Sequence, residues 1–173
     1  MRRALSKSAA RRKPADPASI RLLVLDVDGV LTDGRIYYGP RGESLKVFHI
    51  RDGLGIRAAL NAGIEVAVIS GRSSTMVARR CRELGIRYVT QGEDDKLPVL
   101  EKLLKRLELT ASQCSCVGDD VIDVPMLQAA GLAFAVADAH PEACRAAHRV
   151  TQLRGGHGAV REVCDYLLAA RQR

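Results

Sequence analysis

From Ile20 onward the chain alternates short β-branched apolar runs with longer stretches of helical periodicity, and no other feature constrains its fold as strongly. Repeated strand–helix units predict an α/β fold, a doubly wound parallel sheet with helices on both faces. Strands are expected over 21–26, 65–69, 87–90, 114–117 and 133–136, and helices near 53–61, 73–83, 97–107, 124–129 and 159–170. Leu100, Leu103, Leu104 and Leu107 recur at three- and four-residue spacing and read as one buried helix face. One segment breaks the alternation. Between positions 34 and 50, two strand-like runs flank the turn Gly39-Pro40-Arg41-Gly42, which predicts a β-hairpin inserted after the first strand and too short to be a cap domain. In a monomer Tyr37, Tyr38 and Phe48 of that hairpin would leave apolar surface open, so another subunit is expected to cover it.

With 173 residues, 47% of them hydrophobic and 27% charged, the chain fits one globular domain with a substantial core. The formal charge of +7 is concentrated over 1–19, where Arg2, Arg3, Lys7, Arg11, Arg12 and Lys13 face only Asp16. That stretch is expected to be a disordered basic arm, with 20–173 as the single folded domain. It has no apolar core of a secretory signal, and no run approaches the length of a membrane span. With 3% aromatics and no Trp, the chain lacks the stacking platforms of single-strand binders, so neither nucleic acid nor a membrane is an expected partner. Cys81, Cys114, Cys116, Cys144 and Cys164 are odd in number and lack metal spacing; they read as buried thiols of a reducing cytoplasm.

In doubly wound sheets ligands bind beyond the carboxyl ends of the strands, so the residues at those ends carry the chemistry. The first strand runs into Asp26-Val27-Asp28-Gly29 and the second into Ser70-Gly71-Arg72. Lys96 opens a helix, and a later strand runs into Gly118-Asp119-Asp120-Val121-Ile122-Asp123. Carboxylates converging on one sheet edge repel one another unless a cation sits among them. A hard divalent ion held by oxygens fits, and Mg²⁺ with a substrate phosphate is the economical choice. Taken singly, each motif also suits an acidic turn, a helix cap or a surface lysine. A calcium-binding loop is disfavoured because Val30 takes its third ligand position.

Together, in this order, the four motifs resemble those of the haloacid dehalogenase superfamily. Within it the resemblance over roughly 21–171 is closest to the phosphatases of 3-deoxy-D-manno-octulosonate 8-phosphate (KDO 8-phosphate), through Gly34-Arg35-Ile36-Tyr37-Tyr38, Arg51-Asp52-Gly53, Val124-Pro125-Met126-Leu127, Asp138-Ala139-His140-Pro141 and Gly155-Gly156-His157-Gly158. The resemblance implies Asp26 as nucleophile and Asp28 as general acid and base. It assigns phosphate contacts to Ser70 and Gly71, and charge neutralisation to Lys96. Mg²⁺ would be held by Asp26, the Asp28 carbonyl and Asp119, with Asp120 and Asp123 in support and Asp123 orienting the lysine or a metal-bound water. The substrate would be a phosphosugar acid touched by Asp28, His49, Ile50, Arg51, Asp52, Gly53, Arg57, Gly71, Arg72, Arg80 and Lys96, some across a subunit interface of a homotetramer. The reaction would then supply KDO for lipopolysaccharide. His157 departs from the arginine expected in the glycine-rich tail.

Four rival readings compete with this one. A receiver-type signalling domain has the same residue types in another order, with its phosphoacceptor on a later strand than the acid pair. A phosphatase of macromolecules would also suit an uncapped site, and a sister activity on KDN 9-phosphate would keep the sugar-acid chemistry. A non-catalytic oligomerisation domain would not need the intact acid pair.

Overall fold

The computed structural model describes residues 13–172. Its main sheet has six parallel strands: β1 (Leu22–Leu25), β4 (Glu65–Ser70), β5 (Tyr88–Gln91), β6 (Cys114–Gly118), β7 (Leu132–Ala135) and β8 (Arg149–Val150). They lie in the order β5-β4-β1-β6-β7-β8, so the chain reverses its winding at β1. β1 pairs with β4 on one side and β6 on the other, bringing three sequence-distant strand ends together at the centre of the sheet edge. Asp26 follows β1 directly; its backbone N–H donates to the Val117 carbonyl.

Strand periodicity divides the core. Leu23 and Leu25 pack with α1 (Ile50–Asn61), α2 (Thr75–Leu84) and α6 (Ala159–Ala170), whereas Leu22 and Val24 pack with α3 (Lys96–Arg106), α4 (Val124–Ala129) and α5 (Pro141–Ala146). Burying both faces explains why β1 is apolar at every position. Leu100 is fully buried, with Leu103, Leu104 and Leu107 partly buried beside it, so the expected helix face is borne out.

β2 (Tyr37–Gly39) and β3 (Gly42–Leu45) form the expected hairpin as a separate antiparallel sheet rather than an edge of the main one. Most expected elements are present within one or two residues of their expected ends, and the larger differences are these. α1 begins at Ile50, where His49 caps it, and runs through Gly53 and Gly55, which read as helix-disfavouring but make room for Arg80 and Arg161; a Cβ at either position would lie within 3 Å of those side chains. The short α5 and two-residue β8 carry too little periodicity to be read from sequence. Residues 1–12 of the expected arm lie outside the described residues, but its last part is held. Ala15 donates to the Gly131 carbonyl, and a 3₁₀ turn at Pro17–Ser19 is capped by Asp16.

Among the described residues no helix is long and apolar enough to cross a membrane. All five cysteines are free, and all except the half-buried Cys144 are buried.

Candidate active site

Lys96 is the most deeply buried cation at the sheet edge, 1% exposed at the first position of α3. Its Nζ donates to Asp26 Oδ1 and to Asp123 Oδ1, each at 2.6 Å. Asp123, fully buried, uses its other oxygen to accept the backbone N–H groups of Asp119 (2.8 Å) and Asp120 (3.3 Å). Both Asp123 oxygens are therefore engaged in fixing the lysine and the turn, which explains the acid four residues after Asp119. Asp120 caps that turn by accepting from the Val121 N–H at 2.7 Å.

Asp26, Asp119 and Asp123 each place a carboxylate oxygen within 4.8 Å of the others, with one ammonium among them. Burial, then the charge of Asp123, raises Asp26 to about 6 against the opposing pull of Lys96. Burial, then the charges of Asp26 and Asp123, raises Asp119 to about 8. Burial acts to lower the lysine, but Asp26 and Asp123 together hold it above the ordinary value. Three carboxylates against one cation leave a surplus of negative charge that a divalent ion would relieve. With both Asp123 oxygens engaged, Asp26 and Asp119 fit the expectation that they would hold Mg²⁺. Gly29 is obligatory here: its φ is +91°, and a Cβ would fall 2.0 Å from Asp119 Oδ2.

A cavity of about 280 Å³ opens over this cluster, lined by Asp26, Asp28, Gly34, Ser70, Gly71, Arg72, Asp94, Asp119, Asp120 and Ile122. Its size suits a small molecule. The Ser70 hydroxyl, buried, accepts from the Arg72 N–H at 3.3 Å, which sets the turn that presents Gly71 and Arg72. Asp28 stands at the opening between two cations, Lys46 and Arg72. Sequence reasoning missed Lys46, Glu43, Asp94 and Ile122. The first two sit in a hairpin whose partners cannot be read locally. Asp94, two residues before Lys96, carried the weak signal of a second acid in the same loop.

The remaining expected substrate residues do not line this cavity in one chain. His49 caps α1, its Nδ1 accepting from the Arg51 N–H at 3.3 Å. Asp52 is 1% exposed and accepts from the Arg161 N–H at 2.8 Å, capping α6 from another helix; burial raises its carboxyl against that bond. Gly53 and Arg80 line a separate crevice with His49 and Asp52, whereas Arg57 borders a surface hollow with Gly85 and Arg87. Ile50 and Arg51 are exposed. His157 Nδ1 lies 2.7 Å from the Gly155 carbonyl, a local contact within the tail.

A switch point at β1 crowned by two acid clusters, a small hydroxyl and a buried lysine defines a hydrolase of the haloacid dehalogenase type, and the family model for haloacid dehalogenase-like hydrolases matches residues 87–162. The chain is 53% identical over 156 residues to the 3-deoxy-D-manno-octulosonate 8-phosphate phosphatase of Escherichia coli K12, covering 90% of this chain and 83% of that one. It therefore belongs to the KDO 8-phosphate phosphatase family and is a phosphoric monoester hydrolase. The crystal structure of the Yersinia pestis enzyme superposes with a TM-score of 0.89 at 48% identity, covering 91% of this chain and 85% of that one. The Moraxella catarrhalis enzyme, solved in complex with magnesium, phosphate and KDO, also gives 0.89, at 42% identity and covering 91% and 90%.

Proposed function

We propose that this chain hydrolyses KDO 8-phosphate to KDO and inorganic phosphate through an aspartyl-phosphate on Asp26. The observation that carries the mechanism is the buried Lys96 bridging Asp26 and Asp123 beneath the cavity. Asp26 Oδ1 is held by the lysine, which turns its second oxygen toward phosphorus as nucleophile. Attack breaks the ester bond, and Asp28 donates a proton to the departing alkoxide. Asp28 then takes a proton from water as that water attacks the acyl phosphate, releasing phosphate and restoring the Asp26 carboxylate. Ser70, the Gly71 N–H and Lys96 stabilise the phosphoryl oxygens throughout. Mg²⁺, held by Asp26, Asp119 and the Asp28 carbonyl, would neutralise phosphate charge.

The substrate assignment rests on family membership. Arg51, Arg57 and Arg80 lie away from the cavity of their own chain, which fits delivery to a neighbouring site. Ile36, Tyr38, Leu45, Val47, Ile50 and Leu54 are exposed large apolar side chains of the hairpin and the start of α1, and a homo-oligomer, by resemblance a tetramer, would cover them. The free thiols suit the cytoplasm, where KDO release would serve lipopolysaccharide synthesis.

Phosphate release from KDO 8-phosphate, arabinose 5-phosphate and KDN 9-phosphate tests the reading. Losing the carboxylate should cost arabinose 5-phosphate about 1.5–3 kcal/mol, roughly ten- to a hundredfold in kcat/KM. Equal values for the first two would overturn the sugar-acid assignment. A preference for KDN 9-phosphate would move the chain to the sister activity.

A further inference from the structure

Lys46 follows β3 in a segment whose neighbours face solvent: Leu45 is 49% exposed and Val47 is 52% exposed. Yet its own side chain is 1% exposed. A lysine buried between exposed apolar residues inverts the ordinary pattern and needs a counter-charge. Two are present. Lys46 Nζ donates to Asp28 Oδ1 and lies 3.1 Å from Glu43 Oε1. Arg72 closes the ring, with Nη2 3.4 Å from Glu43 Oε1 and Nε 3.6 Å from Asp28 Oδ2. Burial acts to raise the Glu43 carboxyl, but the hydrogen bond and charge of Lys46 hold it below its ordinary value, so Glu43 stays ionised as the anchor of the ring. Each oxygen of Asp28 thus faces a different cation, one from the hairpin and one from the β4–α2 turn.

Rings of this kind are weak evidence for stability, since a buried ion pair is often replaceable by apolar side chains without loss. Their geometric effect is specific. A carboxylate with one cation pivots about its remaining torsions; one hydrogen-bonded at one oxygen, with a second cation facing the other, is biased toward one plane. We propose that Lys46 is a positioning residue for Asp28, and that Glu43 positions Lys46 in turn, so that the inserted hairpin sets the direction in which the acid/base presents its oxygen to the leaving group. The role rests on the reading of Asp28 as acid and base. It gives the hairpin a part in the chemistry of its own chain, separate from any part in covering a neighbour.

A double-mutant cycle tests the role on the full-length chain with KDO 8-phosphate. Lys46→Met should lower kcat by roughly 10- to 100-fold, the range for a mispositioned general acid, while KM moves less than about threefold. Glu43→Gln, which loosens Lys46 but leaves it charged, should lower kcat by about three- to tenfold. In an Asp28→Asn background both changes should add less than about twofold, because a residue acting through Asp28 has nothing left to orient. Equal losses in both backgrounds would overturn the proposal and leave the mechanism standing. Wild-type turnover in Asp28→Asn alone would instead overturn the reading of Asp28. Glu43→Gln carries the same cycle if Lys46→Met fails to fold: its loss must vanish beside Asp28→Asn, and persistence would refute the role.

Discussion

Around Asp26 the ionic contact comes from a buried side chain in the body of the fold, whereas around Asp28 one of the two counter-charges comes from a hairpin outside the main sheet. Asp26 and Lys96 are anchored at β1 and α3, and Asp123 ties them to the end of β6. The hairpin makes its own two-stranded sheet, with Tyr38 72% exposed. The contrast separates two tasks. Phosphoryl transfer needs fixed charges in a dry, rigid setting, which one chain supplies from its core. In the proposed reading, orientation of Asp28 draws on a peripheral element whose apolar side chains are exposed.

The largest effect should follow from breaking the rigid side. Lys96→Met would leave Asp26 and Asp123 buried without their cation, so unfolding in urea should show a loss of about 3–5 kcal/mol, and turnover should fall with it. An unchanged unfolding midpoint would mean that the cluster does not hold the sheet edge together, and the comparison would fail.

A smaller effect should appear as pH dependence. Asp119 rises from 3.8 to about 8 and Asp26 from 3.8 to about 6. The metal-free fold therefore binds these protons more tightly than the unfolded chain does. The resulting stability is fully present below about pH 4 and is lost as pH climbs through about 6 and then 8. A divalent ion binds the deprotonated carboxylates, so its stabilisation should grow across the same window. At pH 8.5 and a hundredfold excess over Kd, Mg²⁺ should add about 2.7 kcal/mol, or about 5–10 °C in Tm. Near pH 5.5 the rise should be distinctly smaller. Equal shifts at both pH values would remove Asp119 from the ion site.

The smallest effect on folding belongs to the hairpin. Tyr38→Asp, at an exposed position, should change monomer stability by no more than about 0.5 kcal/mol, yet sedimentation should find the assembly dissociated. Retained assembly would place the subunit interface elsewhere and weaken the division of tasks.

What the sequence made legible follows the same division. Asp26, Asp28, Ser70, Lys96 and Asp119 sit at or beside strand ends and helix starts, where short local motifs mark the turn and the sheet topology brings them together. Lys46 was not legible, because a lysine near a hairpin strand reads as solvent-facing; its burial depends on Asp28, eighteen residues away. The motif places Asp52 among the expected substrate contacts, whereas its second task is invisible in sequence: Oδ1 accepts from a helix that starts more than a hundred residues later. Long-range capping leaves no periodic trace. The short α5 and β8 were missed for the opposite reason, having too few residues to establish any period.

The measurement closest to the central claim is chemical capture of the phosphoenzyme. Asp28→Asn, mixed with KDO 8-phosphate and Mg²⁺ and quenched in acid, should form the acyl phosphate slowly, for want of a proton donor to the alkoxide, and then retain it, because the residue that activates water is gone. Borohydride reduction followed by peptide mass spectrometry should then find homoserine in place of aspartate at position 26. Homoserine at another aspartate would move the nucleophile, and steady phosphate release with Asp26 unmodified throughout would contradict the covalent mechanism.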